Sequence, residues 1–96
     1  MAVAVFKDDW YLYIIECKNG ELYVGISNDV AERVRKHNNG KACRYTKYRY
    51  PVRLLYCEYC GDVSAARRRE NEVKRFPRDK KLEIVYAGQR EKFLGF

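Results

Sequence analysis

Long apolar runs are missing from this chain. No segment approaches the roughly 18 consecutive apolar residues of a membrane-spanning helix, so a helical membrane protein is not expected. Residues 1–9 also hold no long apolar run, and no secretory leader is expected there. Proline is scarce, and no repeat, linker or low-complexity stretch divides the sequence. Cysteine is limited to Cys17, Cys43, Cys57 and Cys60. Cys57 and Cys60 have the spacing of half a zinc site, but a second close pair is lacking, so a zinc-organised structural module is weakly supported. Reduced thiols in a cytoplasmic protein (nucleoid-associated in a bacterium) are the simplest expectation. Acidic residues are absent from Arg33 to Arg53, where Arg33, Arg35, Lys36, Lys41, Arg44, Lys47, Arg49 and Arg53 all fall. That window suits a polyanion, most often nucleic acid.

What is present supports one small domain. The 96 residues are 47% hydrophobic, enough for a modest core. The net charge is +7, and nine residues are Tyr, which packs like an apolar side chain yet keeps a hydroxyl. Residues 1–9 read as a tail. Residues 10–17 are rich in aromatic and β-branched side chains and predict a strand, Asn19-Gly20 predicts a hairpin turn, and 21–27 the returning strand. A helix over about 29–38 follows, with Asp29 and Glu32 spaced as a capping box and Gly40 as its stop. Residues 41–51 predict a basic, Tyr-rich loop closed by Pro51, and 52–60 a third strand. Gly61-Asp62 leads into a helix over 63–76, and Pro77 into another ending near 86. Residues 87–96 are left as a C-terminal tail, and the domain spans 10–86. The order β-β-α-β-α-α predicts an α+β fold: a small three-stranded, mainly antiparallel sheet flanked by helices.

Two helices place polar groups where apolar ones belong. The stripe of the first is Val30, Arg33, Val34 and His37. An inward Arg33 needs polar partners; the other reading has it snorkelling at the core edge. The stripe of the second is Ala66, Glu70, Val73 and Phe76. Glu70 is then paired with a cation such as Arg33, left in water at the margin, or holding a metal ion. The hairpin leaves two registers open. A two-residue loop sets Tyr13 and Tyr23 on opposite faces. A three-residue loop, Lys18-Asn19-Gly20, pairs Tyr13 with Gly25 and Ile15 with Tyr23, so that both phenols share a face and Gly25 leaves room for a phosphate or sugar. A shared site requires the second register.

Phenols, an Arg, a His and one carboxylate, in that order, are the groups a one-metal phosphodiesterase needs. They also resemble the GIY-YIG nuclease family. Tyr11-Leu12-Tyr13 corresponds to the first family triplet and Tyr23-Val24-Gly25 to the second; Arg33, His37 and Glu70 match the family's helix arginine, its His/Tyr position and its metal-binding glutamate. The similarity covers about residues 10–86. Ile26 stands where many relatives place a polar or basic residue. The resemblance implies a metal-dependent DNA endonuclease, structure-selective and linked to repair. In it Glu70 would bind Mg²⁺ or Mn²⁺, Tyr23 would position and deprotonate water, and Arg33 would offset charge on phosphorus. His37 would touch the phosphate or assist proton transfer, and Tyr13 would orient Tyr23 or water. Branched, flapped or single-stranded DNA is the expected substrate, with a protein partner supplying targeting. Lys41, Arg44, Tyr45, Lys47, Tyr48, Arg49 and Arg53 would track its backbone or stack on bases, with Arg68 adding a phosphate contact. The alternative is a nucleic-acid-binding module of the same fold that does not cut on its own.

Overall fold

The computed structural model describes residues 9–93. Six elements follow in order: β1 (Trp10–Glu16), β2 (Leu22–Ser27), α1 (Val30–Asn38), β3 (Arg53–Gly61), α2 (Val63–Lys74) and α3 (Arg78–Phe93). The sheet order is β2-β1-β3, and both ladders are antiparallel. The α+β class and element order are as expected.

The hairpin adopts the three-residue register. Tyr13 lies opposite Gly25 and Ile15 opposite Tyr23. Gly20, at φ +86, occupies the left-handed region that closes such a turn, and the Gly20 N–H donates to the Cys17 carbonyl at 2.8 Å.

Alternation along β1 then feeds two cores. Leu12 and Ile14 join Val24 and meet Val73 of α2 and Val85 of α3. Tyr13 and Ile15 join Cys17 and Val52, with Tyr23, Val30 and Val34 packed against them. One sheet thus carries an α2/α3 side and an α1 side.

Capping starts each of the first two helices. The Asp29 carboxylate accepts from the Glu32 N–H at 3.2 Å, and Asp62 from the Ala65 N–H at 2.8 Å. The reciprocal half of the expected box is not made: the Asp29 N–H goes to Ser27 Oγ at 2.9 Å, and Glu32 pairs with Arg35. α2 ends at Lys74, two residues short of the expected stop, and α3 starts at Arg78, just after Pro77. α3 also runs past residue 86, so part of the expected 87–96 tail is helical. Gly88 makes room there, since a Cβ on it would lie 2.9 Å from the Tyr56 ring. Tyr86 of α3 is exposed, and Ile84 packs against the core. Residues 1–8 of the expected N-terminal tail lie outside the described residues, as do 94–96.

Cys57 and Cys60 do not form half a zinc site. Cys60 packs on the Leu12 side of the sheet, whereas Cys57 lies opposite Tyr13. No group of three or more His, Cys, Asp or Glu able to hold a metal ion occurs among the described residues. None of the four cysteines is in a disulfide.

Candidate active site

A cleft of about 410 Å³ opens at the end of β2. Its floor is Tyr13, Tyr23 and Gly25; Arg33 and Lys36 enter from α1, and Arg67 and Glu70 from α2. Trp10 and Ile26 form an apolar part of the wall. The residues come from four elements, and the hairpin register is what brings both phenols to one place.

Gly25 has a definite job. A Cβ there would lie 2.4 Å from the Tyr13 hydroxyl oxygen, inside any permissible contact. The space expected to receive a phosphate or sugar is therefore filled by the Tyr13 ring, which folds across its cross-strand partner.

Tyr13 is 1% exposed, and its hydroxyl meets His37 Nε2 at 2.8 Å. His37 is fully buried, and its Nδ1 meets Thr46 Oγ1 at 2.7 Å. Burial, and next the Arg33 charge, lower the His37 pKa to about 4, so the ring is neutral at neutral pH. His37 lines no part of the cleft. Direct contact with a phosphate, expected from its position one turn after Arg33, does not fit its burial; its hydrogen bond on the cleft side is to Tyr13.

Arg33 is half-buried and lines the cleft beside Tyr13. Its Nε is buried with no hydrogen-bond partner. Leaving such a donor unpaired costs on the order of 1–3 kcal/mol. A bound anion would remove that cost. Burial raises the Tyr13 pKa, with Arg33 opposing it. Tyr23 is raised further, by burial first and a hydrogen bond with Cys43 next, while Arg33 pulls weakly the other way. Cys43 itself is pushed up by burial, but hydrogen bonds from Thr46 and Tyr23 outweigh this and leave its thiol below the ordinary value.

Glu70 lies on the α2 packing stripe, with its side chain 15% exposed, and its partner is Lys74 at 3.3 Å rather than Arg33. Of the three carboxylates that line the cleft, Asp29 caps α1 and Glu32 pairs with Arg35, while Glu70, on the α2 wall, suits a hard cation that keeps most of its waters, as Mg²⁺ does. The residues present fit such an ion, with Glu70 as its protein ligand.

The segment 41–53 splits into two groups. Lys41, Arg44, Lys47 and Tyr48 line a second cavity of about 530 Å³, and Tyr48 is 81% exposed. Tyr45 instead stacks on Tyr23, with ring centroids 5.6 Å apart, and Arg49 lies 4.5 Å over the Tyr45 ring. Arg49 also pairs with Glu21, and Arg53 with Glu16 at 2.8 Å. These three side chains, expected on DNA, are engaged within the fold. Arg68 is exposed and lines neither of these cavities; its neighbour Arg67 faces the cleft. Sequence reasoning missed Thr46, Cys43, Trp10 and Lys36. Helical spacing points to Arg67, three residues before Glu70, but nothing periodic marks Thr46.

Residues 9–89 match the family model described as the GIY-YIG catalytic domain. The chain belongs to the GIY-YIG family. It is similar to the UPF0213 protein SSP2268 of Staphylococcus saprophyticus, at 47% identity over 84% of this chain and 99% of that one. The UPF0213 protein SERP0126 of Staphylococcus epidermidis is 46% identical over the same shares. Among solved structures, the solution NMR structure of the UPF0213 protein BH0048 from Bacillus halodurans matches with a TM-score of 0.54. It is 40% identical, and the match covers 82% of this chain and 84% of that one. Tyr13, Tyr23 and Gly25, from the two segments that resemble the family triplets, floor the cleft, and Glu70 forms part of its α2 wall.

Proposed function

We propose that this protein is a divalent-metal-dependent endonuclease that hydrolyses DNA phosphodiester bonds, structure-selective and linked to DNA repair. The observation that carries this reading is the gathering of Tyr13, Tyr23, Arg33 and Glu70 around one cleft, with Arg33 Nε buried and unpartnered. The guanidinium fork donates to a non-bridging phosphate oxygen and offsets charge on phosphorus as water attacks. Glu70 holds Mg²⁺ or Mn²⁺, which when bound polarises the phosphodiester and eases departure of the 3′ oxygen. Tyr23 orients the attacking water as a phenol; the expected phenolate is opposed by burial and by Cys43. Tyr13 is held by His37 and lines the cleft beside Arg33. The products are a 5′-phosphate and a 3′-hydroxyl. Lys41, Arg44, Lys47 and Tyr48 extend the nucleic-acid track beyond the cleft, and a protein partner supplies targeting. The four cysteines, none in a disulfide, support a cytoplasmic setting.

A second reading, a binding module that does not cut alone, is favoured by Ile26 in the cleft wall and by the raised phenol pKa values. The deciding experiment incubates the protein with labelled single-stranded, duplex, flapped and branched DNA plus Mg²⁺ or Mn²⁺, with EDTA and Glu70→Ala as controls. The nuclease reading expects metal-dependent cutting that Glu70→Ala abolishes while DNA binding persists. Binding without cutting by the folded wild type selects the second reading.

A further inference from the structure

The cleft wall holds two large apolar side chains that neither core uses. Trp10 and Ile26 line it. Both are part-exposed, and neither belongs to the Leu12 cluster or to the Tyr13 cluster. Strand pairing explains how they come together. Ile26 lies opposite Leu12 and shares the Leu12 face of the sheet. Trp10 precedes Leu12 by two positions and is on that face too, so Trp10 and Ile26 are diagonal neighbours across the ladder, within reach of an aromatic ring. On its other flank Trp10 pairs with Gly61, which has no side chain to lay over the indole.

The surroundings of this apolar wall are charged. Arg67 and Glu70 of α2 line the same cleft, and Arg33 and Lys36 reach it from α1. The other two carboxylates there are engaged, Asp29 as the cap of α1 and Glu32 with Arg35. A Trp left part-exposed forgoes the burial of a large apolar surface, which a flat ligand laid on it would recover. Cations beside such a ring suit a ligand with anionic groups and a flat face, and a nucleotide combines the two. The cleft volume of about 410 Å³ lies within the roughly 300–1,000 Å³ of sites that enclose a small ligand. A base inside a duplex presents only its edges in the grooves, because its faces are covered by its neighbours in the stack. An unpaired base offers a face.

We propose that Trp10, backed by Ile26, is a base-stacking platform: it takes one unpaired nucleobase flat against the indole while the neighbouring phosphates lie on Arg33, Lys36 and Arg67. The cleft then prefers a strand whose base is free to leave the stack, at a flap, a branch or a single-stranded stretch, over a continuous duplex. Trp10 determines specificity by touching the base and takes no part in bond breaking. The link to cleavage rests on the nuclease reading; the stacking contact does not.

Trp10 is the single tryptophan of the chain, so intrinsic fluorescence reads the environment of this one ring. The test titrates the full-length protein in EDTA with a short oligothymidylate, an abasic oligomer carrying the same number of phosphates, and a duplex of the same length. Wild type, Trp10→Phe and Trp10→Leu are compared, with affinity followed separately by the anisotropy of an end label. Oligothymidylate should quench the wild-type tryptophan, while the abasic oligomer and the duplex should leave most of its emission. Trp10→Leu should weaken oligothymidylate binding about tenfold, the scale of one base–aromatic stack, and leave abasic binding unchanged. Trp10→Phe should keep most of the affinity. Equal quenching by the abasic oligomer overturns the proposal, as does no binding of oligothymidylate. So does a folded Trp10→Leu that loses the same factor for both oligomers, the mark of a merely structural role, or loses nothing for either. Should Trp10→Leu fail to fold, the wild-type quenching by the three ligands still decides. Quenching with no cutting once Mg²⁺ is added sinks the nuclease reading and leaves the platform standing; cutting with no quenching does the reverse.

Discussion

The two sides of the sheet draw alternate residues from the same strand, yet they are held together differently. On the α2/α3 side, Leu12, Ile14, Val24, Val73 and Val85 form an apolar cluster whose side chains make no hydrogen bonds. On the α1 side, Tyr13, His37 and Thr46 are equally buried but joined by hydrogen bonds. The first kind of core is stabilised by area and volume, and is insensitive to proton concentration. The second is stable only while each donor has an acceptor, so it answers to tautomer and pH more than to volume. The candidate chemistry is built on the second.

That contrast can be broken or sharpened by experiment. The largest effect belongs to the apolar side. Ile14→Ala should destabilise the fold by about 2–5 kcal/mol, measured by urea unfolding, with activity per folded molecule kept. A specific loss of cleavage in the folded fraction would show that the two sides are not separable. Next comes pH. The folded His37 pKa is about 4, against roughly 6.5 when unfolded, so the unfolded state binds more protons between those values. This contribution is fully present above pH ~6.5 and is lost as pH falls, approaching about 3 kcal/mol near pH 4. The stability difference between wild type and His37→Asn should narrow over that window; a difference flat from pH 7.5 to 4.5 would contradict the linkage. The smallest effect is expected at the surface. Arg53→Ala removes an exposed pair with Glu16, and unfolding stability should change by less than about 1 kcal/mol.

Periodic features were legible before the fold was known. Period-two alternation and a Gly turn identified the hairpin, while its register stayed open until the structure paired Tyr13 with Gly25 and Ile15 with Tyr23. Helical spacing put Arg33, His37 and Glu70 on packing faces, which is where they lie. Composition was a poorer guide. Residues 41–53 read as a basic DNA-tracking loop, but Tyr45, Arg49 and Arg53 are turned to partners within the fold. Thr46 is bonded to a residue nine positions earlier, and such a pairing leaves no pattern in a single sequence. Residues 87–96 were left as a tail, whereas α3 runs on to Phe93 and Gly88 fits against Tyr56.

β1 lies between β2 and β3, and its residues alternate between the two cores. Tyr13 therefore cannot be exposed by fraying an edge: both ladders and both cores would have to open together. Sub-global opening begins in weakly held segments and reaches such a strand only at the full unfolding free energy. The floor of the cleft thus belongs to the part of the molecule that unfolds last.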